Sequence, residues 1–79
     1  MIDRIYLIIR NRNEEIIGMA KTKKDAKTIK QEEEQRIAEE YGFNNARQAM
    51  KYHGELTTTQ KWEYDVTDKR YYMKGEIVP

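Results

Sequence analysis

The sequence predicts a small α+β domain in which one antiparallel sheet, in the order β-β-α-β-β, carries one long helix on one face, with a short second helix following it. Three observations predict this class. Segments dense in β-branched and aromatic residues lie at both ends of the chain, and a long segment with apolar residues at helical spacing lies between them. The 79 residues are enough to enclose one core and no more, so residues 1–79 are read as a single domain without linker, repeat or low-complexity tract.

The first strand is Ile5-Tyr6-Leu7-Ile8-Ile9, apolar in both alternating sets and so expected to be covered on both faces. Asn11-Arg12-Asn13-Glu14 turns the chain, the asparagines being the residues that tolerate a left-handed backbone. Glu15-Ile16-Ile17-Gly18-Met19-Ala20 returns as the second strand. Thr22 then stands as a helix N-cap with Asp25 three residues on, and the helix runs to about Tyr41. Ala26, Ile29, Ile37 and Tyr41 fall near one line on its surface, with Glu33 in the middle of that line. Gly42 is the expected C′ residue, and Phe43 packs back on the last turn as in a Schellman ending. Asn45 and Gln48 predict the start of the short second helix through Ala46, Ala49 and Met50, stopped by Gly54. After Thr57-Thr58-Thr59, Trp62, Tyr64 and Val66 alternate with Lys61, Glu63 and Asp65, the pattern of a strand with one wet face. Thr67 to Arg70 form the turn, and Tyr71 to Val78 form the last strand, which ends at Pro79. The most buried side chains are expected to be Trp62, Tyr64, Ile5, Leu7, Ile17 and Ile37, on the apolar phase of their elements.

Apolar residues make up 38% of the chain and charged residues 37%, so a small apolar core must offset the ordering of a large polar surface. Domains of this size recover the deficit with disulfides, a metal or a partner subunit, and the chain has no cysteine, which points to self-association. Absence of cysteine also fits a reducing compartment. The run Ile5 to Ile9 is too short for a signal-peptide core, and no stretch approaches the roughly 20 apolar residues of a membrane span. The expectation is a cytoplasmic protein with no membrane association.

Catalytic chemistry has little to work with. The chain contains neither Ser nor Cys, and its six threonines have no base beside them in sequence. His53, the single histidine, reads as a helix-terminal residue beside Gly54 or as a general base without an orienting carboxylate. Glu32-Glu33-Glu34 reads as a solvated face or as a metal site, but consecutive helical residues point about 100° apart and do not converge on one ion. Asp65 and Asp68 read as turn formers, and the four glycines are scattered, so no phosphate-cradling loop is present. The expectation is a protein that is not an enzyme and takes no cofactor, metal or small-molecule substrate.

Two features speak to binding. Aromatic and basic residues interleave from Lys61 to Lys74, but residues 61–79 hold four basic and four acidic side chains, so the aromatics read as sheet core rather than a base-stacking platform. The long helix is charge-segregated: residues 21–30 carry five Lys and one Asp, whereas residues 31–40 carry five Glu and one Arg. This opposes the helix macrodipole and reverses the favourable i,i+4 order, and an antiparallel second copy would reward it. The expected interface of such a homodimer is Lys27, Lys30, Glu33, Glu34, Arg36, Ile37 and Tyr41, with Glu33 near the two-fold axis. The alternative is a nucleic-acid site built on Lys21, Lys23, Lys24, Lys27 and Lys30, although a net charge of +1 supplies no overall field.

The layout as a whole, from Ile5-Tyr6-Leu7-Ile8-Ile9 and Glu15-Ile16-Ile17-Gly18 through the lysine-then-glutamate helix to the aromatic C-terminal strands, resembles the small proteins of Bacillus phages and prophages, in particular the Yopt family. The resemblance spans essentially all 79 residues. It implies homodimers of subunits built from one helix and three strands, without an established function or catalytic residues to carry over. The residue pattern departs from it in a fourth strand and a second helix. The functional expectation is a homodimeric interaction protein of phage or prophage origin that binds a protein partner, with the nucleic-acid accessory as alternative and a small enzyme using His53 as a weaker third class.

Overall fold

The computed structural model describes residues 3–77, so Val78 and Pro79 of the expected last strand lie outside the described residues. The elements are β1 (Arg4–Arg10), β2 (Glu15–Ala20), α1 (Lys23–Glu40), α2 (Ala46–His53), β3 (Thr57–Asp65) and β4 (Arg70–Ile77). Every ladder is antiparallel, and the spatial order β2-β1-β3-β4 places β1 and β3 at the centre. The fold is α+β with four strands and two helices, as the residue pattern predicts. It is not the three-strand, one-helix layout that the resemblance implies.

Local chemistry explains the ends of the elements. Thr22 Oγ1 accepts from the Asp25 N–H at 3.1 Å and Asn45 Oδ1 from the Gln48 N–H at 2.9 Å, which caps the two helices. At the other end of α1 the Phe43 N–H donates to the Ala38 carbonyl and the Gly42 N–H to that of Glu39, the paired bonds of a Schellman ending. Gly42 has φ of 85°, the conformation this ending requires. In the β1–β2 turn the left-handed residue is Glu14, with φ of 57°, and not an asparagine. Asn13 instead accepts the Glu15 N–H through Oδ1, at 3.1 Å.

The last hairpin is shifted toward the N-terminus relative to expectation. β3 begins at Thr57, because the β-branched threonines fit the pleat and pair with Ile8, Ile9 and Arg10 of β1. It ends at Asp65, whose Oδ1 accepts the N–H groups of Thr67 and Asp68 and closes the turn. Those two backbone bonds, with Lys74 and Arg70 nearby, hold the Asp65 carboxyl below its ordinary pKa. Val66 falls in this turn and is exposed, so it does not continue the apolar phase of the strand.

α1 lies across β2, β1 and the start of β3, and among the described residues it makes no contact with β4. The molecule is accordingly elongated, 47 × 21 × 17 Å, with a radius of gyration of 13.9 Å against about 12 Å for a compact chain of this length. Its core is two small clusters. Tyr6, Ile8, Ala20 and Ala26 form one, and Ile37, Ala38, Ala49 and Leu56 form the other, with Ile17 packed against both.

The composition of this core corrects the expected one. Ile37 is buried, but Ile5, Leu7, Ile17, Trp62 and Tyr64 are only half-buried, and Tyr6 and Ile8, the opposite phase of β1, fill the space beneath the helix. Alternation separates two apolar sets on β1 without saying which one the helix covers. In β2 the register slips between Ile8 and Ile9 of its partner, leaving Ile17 as the extra residue of a bulge, which sends it to the helix side beside Gly18. A Cβ at Gly18 would meet Ile29 Cγ2 at 2.5 Å, so the absence of a side chain there sets how closely α1 approaches the sheet.

Two charged groups lie inside this contact. Ala26, Lys30, Glu34 and Ala38 follow each other at i+4 along the buried row of α1, so Glu34 rather than Glu33 occupies its middle. Lys30 Nζ donates to Thr57 Oγ1 at 2.7 Å and to the Thr57 carbonyl at 3.0 Å, and it lies 3.4 Å from Glu34 Oε2. Thr57 Oγ1 in turn donates to Glu34 Oε2 at 3.2 Å, closing a triangle between helix and sheet.

Two predictions follow from this packing. Glu34→Ala strands the Lys30 ammonium and should cost about 3–5 kcal/mol, whereas the double change Lys30→Met with Glu34→Leu removes both charges and should be close to neutral. Urea titrations of the two variants measure the difference, and equal losses would show that the triangle is not an ion-paired unit. Gly18→Ala should destabilise the domain by about 1–3 kcal/mol through overpacking against Ile29, read as a lowered midpoint with an unchanged m-value.

Candidate functional site

The face of the sheet away from α1 carries the side chains that remain. The register sets Ile5 opposite Trp62, Leu7 opposite Gln60 and Ile9 opposite Thr58 on that side. β2 adds Met19 beside Leu7 and Ile16 beside Ile9, and β4 adds Met73 beside Trp62, Tyr71 beside Tyr64 and Glu76 beside Gln60. Among the described residues neither helix covers this face. Its large apolar side chains are open to solvent: Met19 is 60% exposed, Ile16 54%, Met73 49% and Tyr71 38%. Isolated exposed apolar residues are ordinary, but a set of them on one sheet face is a candidate docking surface.

The surface is ordered and poor in charge. Trp62 Nε1 donates to Gln60 Oε1 at 3.2 Å, and the rings of Tyr64 and Tyr71 meet edge-on with centroids 5.2 Å apart. Tyr71 donates its hydroxyl proton to Asp3 Oδ2 at 2.8 Å, with Lys21 Nζ 3.6 Å from the other carboxylate oxygen. The hydrogen bond from Tyr71 and the charge of Lys21 hold the Asp3 carboxyl below its ordinary pKa, and the same bond pushes the Tyr71 phenol up. Between these groups and Glu76 the strand positions on this face are uncharged. Leu7, Ile9, Ile16 and Trp62 border a hollow of about 490 Å³ together with polar residues that include the carboxylates of Glu14 and Glu76. Such a surface can bury apolar area.

The residues expected at a helix-to-helix interface are dispersed by the fold. Lys30, Glu34 and Ile37 are buried inside the subunit, the first two in the triangle with Thr57. Glu33 pairs with Arg36 on its own helix. Tyr41 is half-buried at the end of α1, where it receives hydrogen bonds from Arg10 and Arg12. Among the described residues, Lys27 alone of the seven is exposed without such a partner. The lysine cluster is thinned in the same way, because Lys30 is buried and Lys21 faces Asp3, leaving Lys23, Lys24 and Lys27 along the exposed side of α1. The three consecutive glutamates diverge as helical geometry requires, and among the described residues no three His, Asp or Glu side chains gather at one point. His53 packs its ring on Tyr41, 4.6 Å between centroids, and edge-on to Phe43. No helix among the described residues is long and apolar enough to cross a membrane.

The residues of this face that the sequence reading did not single out are Ile16, Met19 and Met73, whereas Tyr71 entered it only within the interleaved aromatic and basic stretch. The signal for them is present in β1: both of its alternating sets are apolar, while the chain has only one long helix to lay against a sheet. Comparison with protein-family models, curated proteins and solved structures finds no match, so geometry alone carries the functional argument.

Proposed function

We propose that this chain is a non-catalytic interaction protein that works as a homodimer, its two copies meeting through the uncovered sheet face. The observation that carries the reading is the contiguous set Leu7, Ile9, Ile16, Met19, Trp62, Tyr64, Tyr71 and Met73 with no covering layer. A charged ligand or a nucleic acid finds little there to pair with, because aromatic stacking of bases works together with cations that track the phosphates, and this face lacks them. A second copy presents the same apolar chemistry, and a two-fold axis makes such a patch complementary to itself.

Size supports the same occupant. Four strands about 4.8 Å apart and about seven residues at ~3.3 Å give a face of roughly 450 Å² in projection. Two copies remove roughly 900 Å² before the relief of the side chains is counted, close to the ~1,000 Å² that a specific contact requires. The charged sides of the two α1 helices then point outward, which leaves them free for a further protein partner. This geometry is favoured over contact between the helices themselves, whose outward side chains offer only exposed ion pairs of about 0–1 kcal/mol each.

Sedimentation equilibrium of the whole chain tests the proposal. The expected mass is twice the 9.5 kDa of one chain, persisting in high salt because apolar contacts are not screened. Met73→Lys should shift the protein to monomer with its circular dichroism retained, whereas Lys27→Glu should leave the dimer intact. A monomer at all concentrations, or a dimer indifferent to Met73→Lys, overturns the reading, and steeply salt-dependent binding of random DNA would favour the nucleic-acid alternative instead.

A further inference from the structure

On the helix-bearing side of the sheet, away from the docking face, the β1–β2 turn and the C-terminal ends of α1 and α2 enclose a cleft of about 620 Å³, within the size range of small-molecule sites. Ile37 and Leu56 give it apolar lining, and Arg10, Arg12, Tyr41 and His53 give it polar lining. Arg10 Nη2 and Arg12 Nη1 both donate to the Tyr41 hydroxyl, at 3.4 and 3.3 Å, and both guanidinium carbons lie over the Tyr41 ring, 5.7 and 5.6 Å from its centroid. Two cations thus converge on one neutral oxygen. Arg10 has a carboxylate beside it, Glu40 at 3.3 Å, and that side chain is half exposed. Glu55 also lines the cleft, but it is exposed, so water screens its charge. The Nε of Arg10 is buried without a partner among the described residues.

This arrangement is costly for the fold alone. Like charges gathered at long hydrogen-bond distances, with a buried donor unmet, are a local violation of the rules the rest of the chain obeys, and such violations concentrate at binding sites. The two guanidiniums also hold the Tyr41 phenol below its ordinary pKa. We propose that the cleft binds the oxyanion head, phosphate or carboxylate, of a small molecule, with Arg12 as the forked donor, Arg10 as a fixed charge beside it, and Tyr41 and His53 as an aromatic wall for the rest of the ligand. Arg12 is exposed and has four further N–H donors besides the one spent on Tyr41, so it can close on an oxyanion in the bidentate manner that its planar fork allows.

The test titrates inorganic phosphate and, separately, acetate into the isotope-labelled protein while the side-chain resonances of its arginines, lysines, tyrosines and His53 are followed. Saturable shifts confined to Arg10, Arg12, Tyr41 and His53 are the expected result, and the probe that produces them assigns the head group as phosphate or carboxylate. Arg12→Ala should weaken that binding about tenfold or more, the loss of one charge-assisted fork. Tyr41→Phe, which removes the shared acceptor and frees two donors, should bind the same probe at least as tightly. Absence of saturation with both probes, unchanged affinity in Arg12→Ala, loss of binding in Tyr41→Phe, or shifts spread over Lys23, Lys24 and Lys27 would each overturn the proposal. The readout does not depend on the oligomeric state.

Discussion

The triangle of Lys30, Glu34 and Thr57 is the constraint on which the arrangement of this domain depends. It is buried, its two charges pair with each other one turn apart on α1, and Thr57 at the start of β3 meets both of them only when the helix stands at one height and one rotation over the sheet. Apolar packing alone would tolerate a helix that slid or rolled, because half of the side chains buried in the two core clusters are alanines. A displaced helix keeps the Lys30–Glu34 pair but takes from it the Thr57 hydroxyl and carbonyl, which leaves a buried ion pair short of hydrogen bonds, a larger cost than a few lost van der Waals contacts. Specificity of orientation is the physical role such a network serves here.

Once the helix is fixed, the division of the sheet into two unlike faces follows. Tyr6, Ile8, Gly18, Ala20 and Thr59 are drawn under α1, and the bulge at Ile17 turns one more apolar side chain inward. By the pleat, Leu7, Ile9, Met19 and Trp62 must then point the other way. The same triangle that makes one face a core therefore leaves the opposite face apolar and bare. The cleft is the other product of the same geometry, since the end of α1 brings Tyr41 against the two arginines that follow from β1 into its turn.

Much of the fold is legible in the sequence, because the features that define its elements are local. Thr22, Asn45, Gly42 with Phe43, and Gly54 cap or end helices through bonds within a few residues, and they do in the structure what their residue types predict. The surface and the core are less legible. Hydropathy at helical spacing selects Ala26, Ile29 and Ile37 but passes over Lys30 and Glu34, whose burial depends on a threonine more than 20 residues away in sequence. The seven residues expected at an interface follow from charge segregation along one helix, and the fold places three of them inside the subunit.

What the sequence by itself determined is the class of the domain and the order of its main elements, since each rests on residue type and short-range spacing. Tertiary structure decided which phase of β1 faces the helix, where β3 begins and ends, and which charges are buried. The physical reason is that alternation divides a strand into two sets of equal hydropathy and gives neither a direction. Only the choice of what packs against the sheet, settled here by a bulge, a glycine without a side chain and one buried ion pair, makes one set the core and the other a surface.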